Sequence, residues 1–347
     1  MRALRYTLVG SPPEVVEVAT PEPPPGGARV RITAAGACHS DTFLMSLPEE
    51  QLAAMGCRVP MTLGHEGVGV VDAVGAAVFG VEVGTPVAVY GPWGCGHCYP
   101  CSQGKENYCT EAAALGIRPP GLGADGTMAD HLLVPDVRHL VPLDGLDPVG
   151  AVALTDAGLT PYHAIRGSLP KLVPGSTAVV IGAGGLGHVA IQILRGLTAA
   201  TVIALDVSNE KLALATEVGA QYVYLSDADA AGHIRDHVGP RGATAVFDFV
   251  TTQPTIDLGQ AVLGAEGDLV LVGVGAGQTQ VGMLAMPYDA TIRAPYWGSR
   301  PELVEVLELA RAGVIHVATE TFSLDQAPEA YRRLHDGTLL GRAVVVP

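Results

Sequence analysis

Cysteine, histidine and carboxylate side chains concentrate in a few short stretches of this chain, and their types suit metal chemistry. Four of the six cysteines form Cys95-x2-Cys98-x2-Cys101-x7-Cys109, inside GPWGCGHCYPCSQGKENYC, and no cysteine lies beyond residue 109. Four thiolates on a Gly- and Pro-rich loop suit a closed tetrahedral zinc site. With every position taken by protein, no place remains for water or substrate, so that ion is expected to be structural. Paired disulfides would use the same residues, but in a reduced compartment metal ligation is favoured. His97, between the ligands, is expected to face solvent. A zinc ribbon for nucleic acid would need a basic cluster, and the lobe carries Glu106 and Glu111 against Lys105.

Three more candidates are scattered: Cys38 in GACHSD, His65 in GHEG and Asp156 in LTDAGLTPYHA. A lone Cys or His is more often a packed core residue than a ligand, and spacing alone does not assemble these three. Cys57 has no assigned role beyond that of a small apolar residue.

A different chemistry is written between residues 177 and 206. The run Thr177 to Ile181 reads as a strand, Gly182-Ala183-Gly184-Gly185-Leu186-Gly187 as a turn, and Leu186, Val189, Ala190, Ile193 and Leu194 recur at helical period. Asp206 ends the next apolar run, nineteen residues past Gly187. Strand, Gly182-x-Gly184-x-x-Gly187, helix and acid together form a dinucleotide fingerprint. Glycines let backbone N–H groups approach a pyrophosphate at the positive end of the helix dipole. Asp206 would accept hydrogen bonds from ribose hydroxyls and repel a 2′-phosphate. Val207, Ser208 and Asn209 offer no Arg, so NAD is expected over NADP. Close strand–helix packing alone would be the plainer use of these glycines.

The elements that must position these groups follow from composition and pattern. At 347 residues, 48% hydrophobic and 16% charged, the chain is long enough for two or three domains and too apolar for disorder. Up to about residue 150, short alternating runs between Gly and Pro clusters predict antiparallel β structure. From about residue 154 to 295 strand and helix alternate, which predicts an α/β doubly wound parallel sheet. The tail holds an amphipathic helix from Glu302 to Ala312, a short helix around Ala327 to His335 and a final apolar run. It is assigned back to the first domain, giving 1–153 with 296–347 as one domain and 154–295 as the other.

Charge excludes some partners. A formal net charge of −15 repels phosphate backbones and anionic lipid, so no nucleic acid or membrane partner is expected. The N-terminus has Arg5 and Glu14 breaking any apolar core, so no signal peptide is read and a cytoplasmic location is expected. The uncharged stretch between Lys171 and Arg195 is divided by Pro174, Gly175 and Gly182, which argues against a membrane helix.

The whole sequence resembles the zinc-dependent medium-chain alcohol dehydrogenases, of the NAD-dependent bacterial secondary-alcohol type. Gly64-His65-Glu66-x2-Gly69-x5-Gly75-x2-Val78 matches the family's zinc signature, followed in order by the four-cysteine lobe and the dinucleotide fingerprint. The resemblance implies a GroES-like β-rich catalytic domain and a Rossmann coenzyme domain. It implies a catalytic zinc on Cys38, His65 and Asp156, with Glu66 as an intermittent or outer ligand, and a second zinc on Cys95, Cys98, Cys101 and Cys109. Many members have Cys where this chain has Asp156. Either way Zn²⁺ with two anionic ligands and an imidazole is neutral, and three protein ligands leave one position for an alcohol oxygen. By the same resemblance Ser40 starts a proton relay, whose usual outer His is replaced here by Phe43. His39 could substitute in the relay or face the cofactor pyrophosphate. Thr160 would meet the nicotinamide, Lys211 the ribose, and Arg342 the pyrophosphate.

Phe43, Trp93 and Trp297 are candidates for an apolar substrate pocket, although each could equally be core. The expected activity is reversible oxidation of apolar alcohols, secondary more than primary, by a cytoplasmic homotetramer. A polyol or sugar dehydrogenase of the same superfamily, and a noncatalytic dinucleotide-binding protein, are the alternatives.

Overall fold

Apolar runs too short for long helices become strands in the computed structural model, which describes residues 1–347. They are β1 (Arg2–Tyr6), β2 (Glu14–Glu17), β3 (Ala28–Ala37), β4 (Met61–Thr62), β5 (Glu66–Val74), β6 (Pro86–Val89), β7 (His131–Val134) and β8 (Leu140–Pro142). Three short helices interrupt them, α1 (His39–Ser46), α2 (Glu49–Ala54) and α3 (Pro148–Val152). The chain then alternates: α4 (Leu159–Arg166), β9 (Thr177–Ile181), α5 (Gly187–Leu197), β10 (Thr201–Asp206), α6 (Asn209–Glu217), β11 (Tyr222–Leu225), α7 (Ala230–Val238), β12 (Ala243–Asp248), α8 (Gln253–Val262), β13 (Leu263–Leu271) and β14 (Thr291–Arg293). It ends in α9 (Arg300–Arg311), β15 (Thr319–Ser323), α10 (Ala327–His335) and β16 (Arg342–Val346).

The backbone divides into two units. One comprises Met1–Asp156, Gly298–Arg311 and Val317–Pro347; the other comprises Ala157–Trp297 and Ala312–His316. The segment 312–316 therefore belongs with the second unit although the residues on both sides of it lie in the first. In the first unit a seven-stranded sheet runs β15-β16-β3-β5-β6-β8, with β7 also on β3, and a smaller sheet runs β2-β1-β4. All its pairings are antiparallel except β15 with β16. Leu4, Tyr6, Val30, Ile32, Leu44, Leu63, Val71, Leu132, Tyr331 and Val345 share one core, so the returning tail is packed into the same interior as the N-terminal strands. Antiparallel β3 and β16 bring Gly36 opposite Val344, while β3 and β5 bring Gly36 opposite Glu66. A Cβ at Gly36 would lie 1.8 Å from the Glu66 carboxylate, so only glycine leaves space for that side chain.

The second unit holds a parallel sheet in the order β11-β10-β9-β12-β13-β14. Every residue of β9 is buried, as a strand covered on both faces requires. The uncharged stretch between Lys171 and Arg195 resolves into β9, a glycine turn and α5, and no helix is long and apolar enough to cross a membrane. β13 begins at Leu263, ahead of the apolar run DLVLVGV, where Leu263 pairs with Ala243; the register then shifts, with Glu266 at a φ of 58°, before Asp268 pairs with Ala245.

Candidate metal centres and dinucleotide site

The scattered candidates converge. Ligand atoms of Cys38, His65, Glu66 and Asp156 all lie within 4.8 Å of one another, and all four residues are buried. Cys38 follows β3 and caps α1, His65 and Glu66 enter β5, and Asp156 follows a 3-10 turn at Ala153–Thr155. Asp156 Oδ2 is 3.5 Å from Cys38 Sγ and 3.5 Å from His65 Nε2. Tetrahedral zinc with ordinary S, N and O bond lengths requires edges of roughly 3.3–3.5 Å between such atoms. The donor set therefore fits the ion.

Sequence reasoning missed the groups that orient these ligands. Asp41, fully buried, accepts from His65 Nδ1 at 2.9 Å and from the Cys38 backbone N–H at 3.1 Å. This arrangement makes Nδ1 the protonated nitrogen and aims Nε2 at Asp156, the usual way a carboxylate fixes a metal-binding imidazole. The Tyr331 hydroxyl donates to Asp41 at 2.9 Å. Burial and the neighbouring Asp41 charge hold the Tyr331 phenol well above its ordinary pKa, so it stays a donor. Burial lowers the pKa of His65, but Asp41 and hydrogen bonds to Asp156 and Cys38 outweigh it and carry the value well up. Burial raises the Cys38 thiol, yet the Arg342 guanidinium and His65 leave it below its ordinary value.

Arg342, expected at the cofactor pyrophosphate, lies inside this cluster and is 2% exposed. Its Nε donates to Glu66 at 3.2 Å, its Nη2 to the other Glu66 oxygen, and Nη2 also to Asp156 at 3.0 Å. The reason is charge: two buried carboxylates require a cation close by. Ser40 Oγ sits 3.6 Å from Cys38 Sγ, and His39 is exposed at the first position of α1.

The cysteine lobe is a second, separate donor set. Sγ atoms of Cys95, Cys98, Cys101 and Cys109 lie within 4.8 Å of one another, with Cys95–Cys101 at 4.0 Å and Cys98–Cys109 at 3.8 Å. Zn–S bonds of about 2.3 Å in a tetrahedron give edges of about 3.8 Å. All six cysteines are free thiols, so the disulfide alternative is not realised. Backbone N–H groups of Cys98 and Cys95 point at the sulfurs of Cys95 and Cys109, each at 3.3 Å. Such donors favour thiolate, and hydrogen bonding from the Cys101 backbone lowers the Cys98 thiol to about 6. His97 is exposed and turns its Nδ1 to the Cys95 carbonyl.

The glycine turn is shaped for a pyrophosphate. A Cβ at Gly187 would lie 1.8 Å from the Gly182 carbonyl, whereas one at Gly184 would meet only open space. Gly187 thus closes the turn onto the strand, and Gly184 and Gly185 present half-exposed backbone just before α5, with Leu186 as its N-cap. Asp206 accepts from the Ala183 N–H at 2.8 Å and the Ser208 N–H at 3.0 Å, which fixes its carboxylate beside the turn. Lys211 lies in the first turn of α6, and Thr160 is buried in α4.

The aromatic candidates fall in different settings. Phe43 is 39% exposed on α1. Trp93 is buried, stacks on His139 with centroids 5.8 Å apart, and lines a cavity of about 640 Å³ whose walls include Ile117, Arg118 and Leu132 but none of the four cluster residues. Trp297 is buried with a φ of 52° and packs edge-on to Tyr296.

Comparison with known proteins agrees with this geometry. Residues 24–145 match the family profile "Alcohol dehydrogenase GroES-like domain", and residues 185–312 match "Zinc-binding dehydrogenase". The chain is 36% identical to an NAD-dependent alcohol dehydrogenase of Sulfurisphaera tokodaii, covering 100% of both. It is 33% identical to a D-arabinose 1-dehydrogenase (NADP(+)) of Saccharolobus solfataricus, covering 97% of this chain and 95% of that one. The solved alcohol dehydrogenase of Aeropyrum pernix superposes with a TM-score of 0.92 at 32% identity, covering 100% of both chains.

Proposed function

The chain belongs to the zinc-dependent medium-chain alcohol dehydrogenase family, and on that premise we propose that it reversibly oxidises apolar alcohols, secondary in preference to primary, to ketones or aldehydes with NAD. The observation that carries the reading is the cluster of one thiol, one oriented imidazole and one carboxylate at tetrahedral spacing, in a chain that also carries the Gly182–Gly187 turn and Asp206. When bound, zinc supplies a Lewis acid that eases loss of the alcohol proton, and NAD supplies the hydride acceptor.

The chain's own residues do the rest. Cys38, His65 and Asp156 would hold the catalytic ion, with Glu66 close by, and the cysteine lobe a second, giving two zincs per subunit. A thiolate and a carboxylate balance a divalent charge, while Glu66 is balanced by Arg342. Ser40, whose Oγ is 3.6 Å from Cys38 Sγ, would take the substrate proton. His39 is its outer partner or a pyrophosphate contact. Thr160 is the nicotinamide contact and Lys211 the ribose contact. Asp206 with no neighbouring Arg favours NAD. Phe43 and Trp297 remain the substrate-wall candidates, and the cavity beside Trp93 makes it the weakest of the three. A cytoplasmic homotetramer is the assembly we propose. Val281, Met283, Leu284 and Tyr288, 71–99% exposed near the terminal strand β14, support self-association.

Metal analysis with NAD-linked absorbance on 2-butanol, ethanol and sorbitol tests this reading. Two zincs per chain and 2-butanol as best substrate are expected. Sorbitol as best substrate would favour the sugar-dehydrogenase alternative, which the D-arabinose relative keeps in view. One zinc and no turnover would favour a noncatalytic dinucleotide-binding protein. Light scattering tests the tetramer.

A further inference from the structure

We propose that Tyr331 is a positioning residue for the His65 ligand, acting through Asp41, and that it slows release of zinc from the cluster. The inference rests on the reading of the cluster as a zinc site. Tyr331 lies on α10, which packs on α1, and is separated from Asp41 by 290 residues of sequence. Its ring is 3% exposed within the first unit's core. Asp41 has two oxygens and three donors. Oδ1 takes His65 Nδ1, and Oδ2 takes both the Cys38 N–H and the Tyr331 hydroxyl. Asp41 thus ties together two ligand residues, and the phenol is the one of its three donors that belongs to neither of them.

Removing the hydroxyl leaves Oδ2 with the Cys38 N–H alone. Because Asp41 is fully buried, bulk water does not replace the lost donor. The carboxylate is then freer to turn about its terminal torsion, and the bond from His65 Nδ1–H that holds the ring loosens with it. Loss of a direct outer partner of a metal-binding His typically costs about 10–100-fold in metal affinity. One link further out, a change of about fivefold is expected.

The test follows zinc release from the full-length, zinc-loaded protein to a colorimetric chelator, with the cysteine lobe as internal reference. Tyr331→Phe should speed release of the cluster ion about fivefold and leave the lobe phase unchanged. Asp41→Asn should speed it about 10–100-fold, and Tyr331→Phe added to Asp41→Asn should change nothing further. 4-Aminophenylalanine at position 331, which restores a donor on the same ring, should return the rate to within about twofold of the original. That protein also serves should the Phe variant fail to fold, since release as fast as in Asp41→Asn would contradict the donor's role. Equal release from the Phe variant and the unmutated protein, or parallel acceleration of both phases, would overturn the inference. An unmutated protein with a lobe phase and no cluster phase would instead overturn the zinc reading, and this inference with it.

Discussion

The two candidate zinc sites are built in opposite ways. In the cysteine lobe the donors fall between Cys95 and Cys109, on a loop with only 3-10 turns at Cys101–Gln103 and Glu106–Tyr108. In the cluster the donors come from the residue after β3, the start of β5 and the turn before α4, and Cys38 and Asp156 are 118 residues apart. The lobe orders its sulfurs with its own backbone N–H groups; the cluster borrows Asp41, Tyr331 and Arg342. A local loop without a core needs its ion to be ordered, whereas a packed sheet can hold ligands in place for an ion that does chemistry. The first arrangement should therefore serve stability and the second turnover.

Exchanging those roles by mutation tests the contrast. The largest effect is expected from His65→Ala or Asp156→Ala, which should lower kcat by about 10³-fold or more and remove about one zinc per chain. NAD affinity, measured by fluorescence titration, should stay within about twofold. Full zinc content with full turnover would break the comparison. Cys101→Ala should act on stability instead, lowering Tm by roughly 4 °C if the lobe ion contributes about 3 kcal/mol. Turnover at low temperature should survive; a variant that kept its Tm and lost only turnover would reverse the assignment.

A smaller effect concerns His139, which accepts from the Gly94 N–H next to the lobe. Burial, with the nearby Arg138 charge, lowers its pKa to about 3. Above the ordinary histidine range the folded and unfolded states are both neutral there, so His139 adds no pH dependence. As pH falls from about 6.5 towards 3, only the unfolded chain takes up the proton, and stability drops by about 1.4 kcal/mol per pH unit. His139→Gln should flatten that acid limb in pH-dependent urea unfolding; an unchanged slope would show that the ring protonates freely in the fold. The smallest expected effect is a control in the other unit, at a residue belonging to neither metal set. Asp206→Ala should raise Kd for NAD about tenfold, narrow the preference over NADP and leave both zincs bound. Loss of zinc in this variant would blur the separation of sites.

Local features were legible. The strand Thr177–Ile181 and the helix Ala327–His335 appear at the bounds their patterns suggest, because apolar period and turn residues act over a few neighbours. The lobe's spacing pointed to zinc for the same reason. Asp41 was visible as the last residue of GACHSD, and its place at the third position of α1 could have flagged it, since a carboxylate there reaches back to the capping residue. Nothing local marked Tyr331 or the burial of Arg342 against Glu66. Those contacts span 290 and 276 residues.

What the sequence determined by itself is chemistry held within a single loop or turn: four sulfurs that cannot avoid one another, and a strand–glycine–helix turn with an acid one strand on. The covalent chain sets such distances directly. Tertiary structure decided which lone Cys, His and Asp meet, which phenol steadies them and which cation balances them. Those meetings depend on β3 pairing with both β5 and β16, where the burial of a shared core, not sequence proximity, offsets the entropy of closing such long loops.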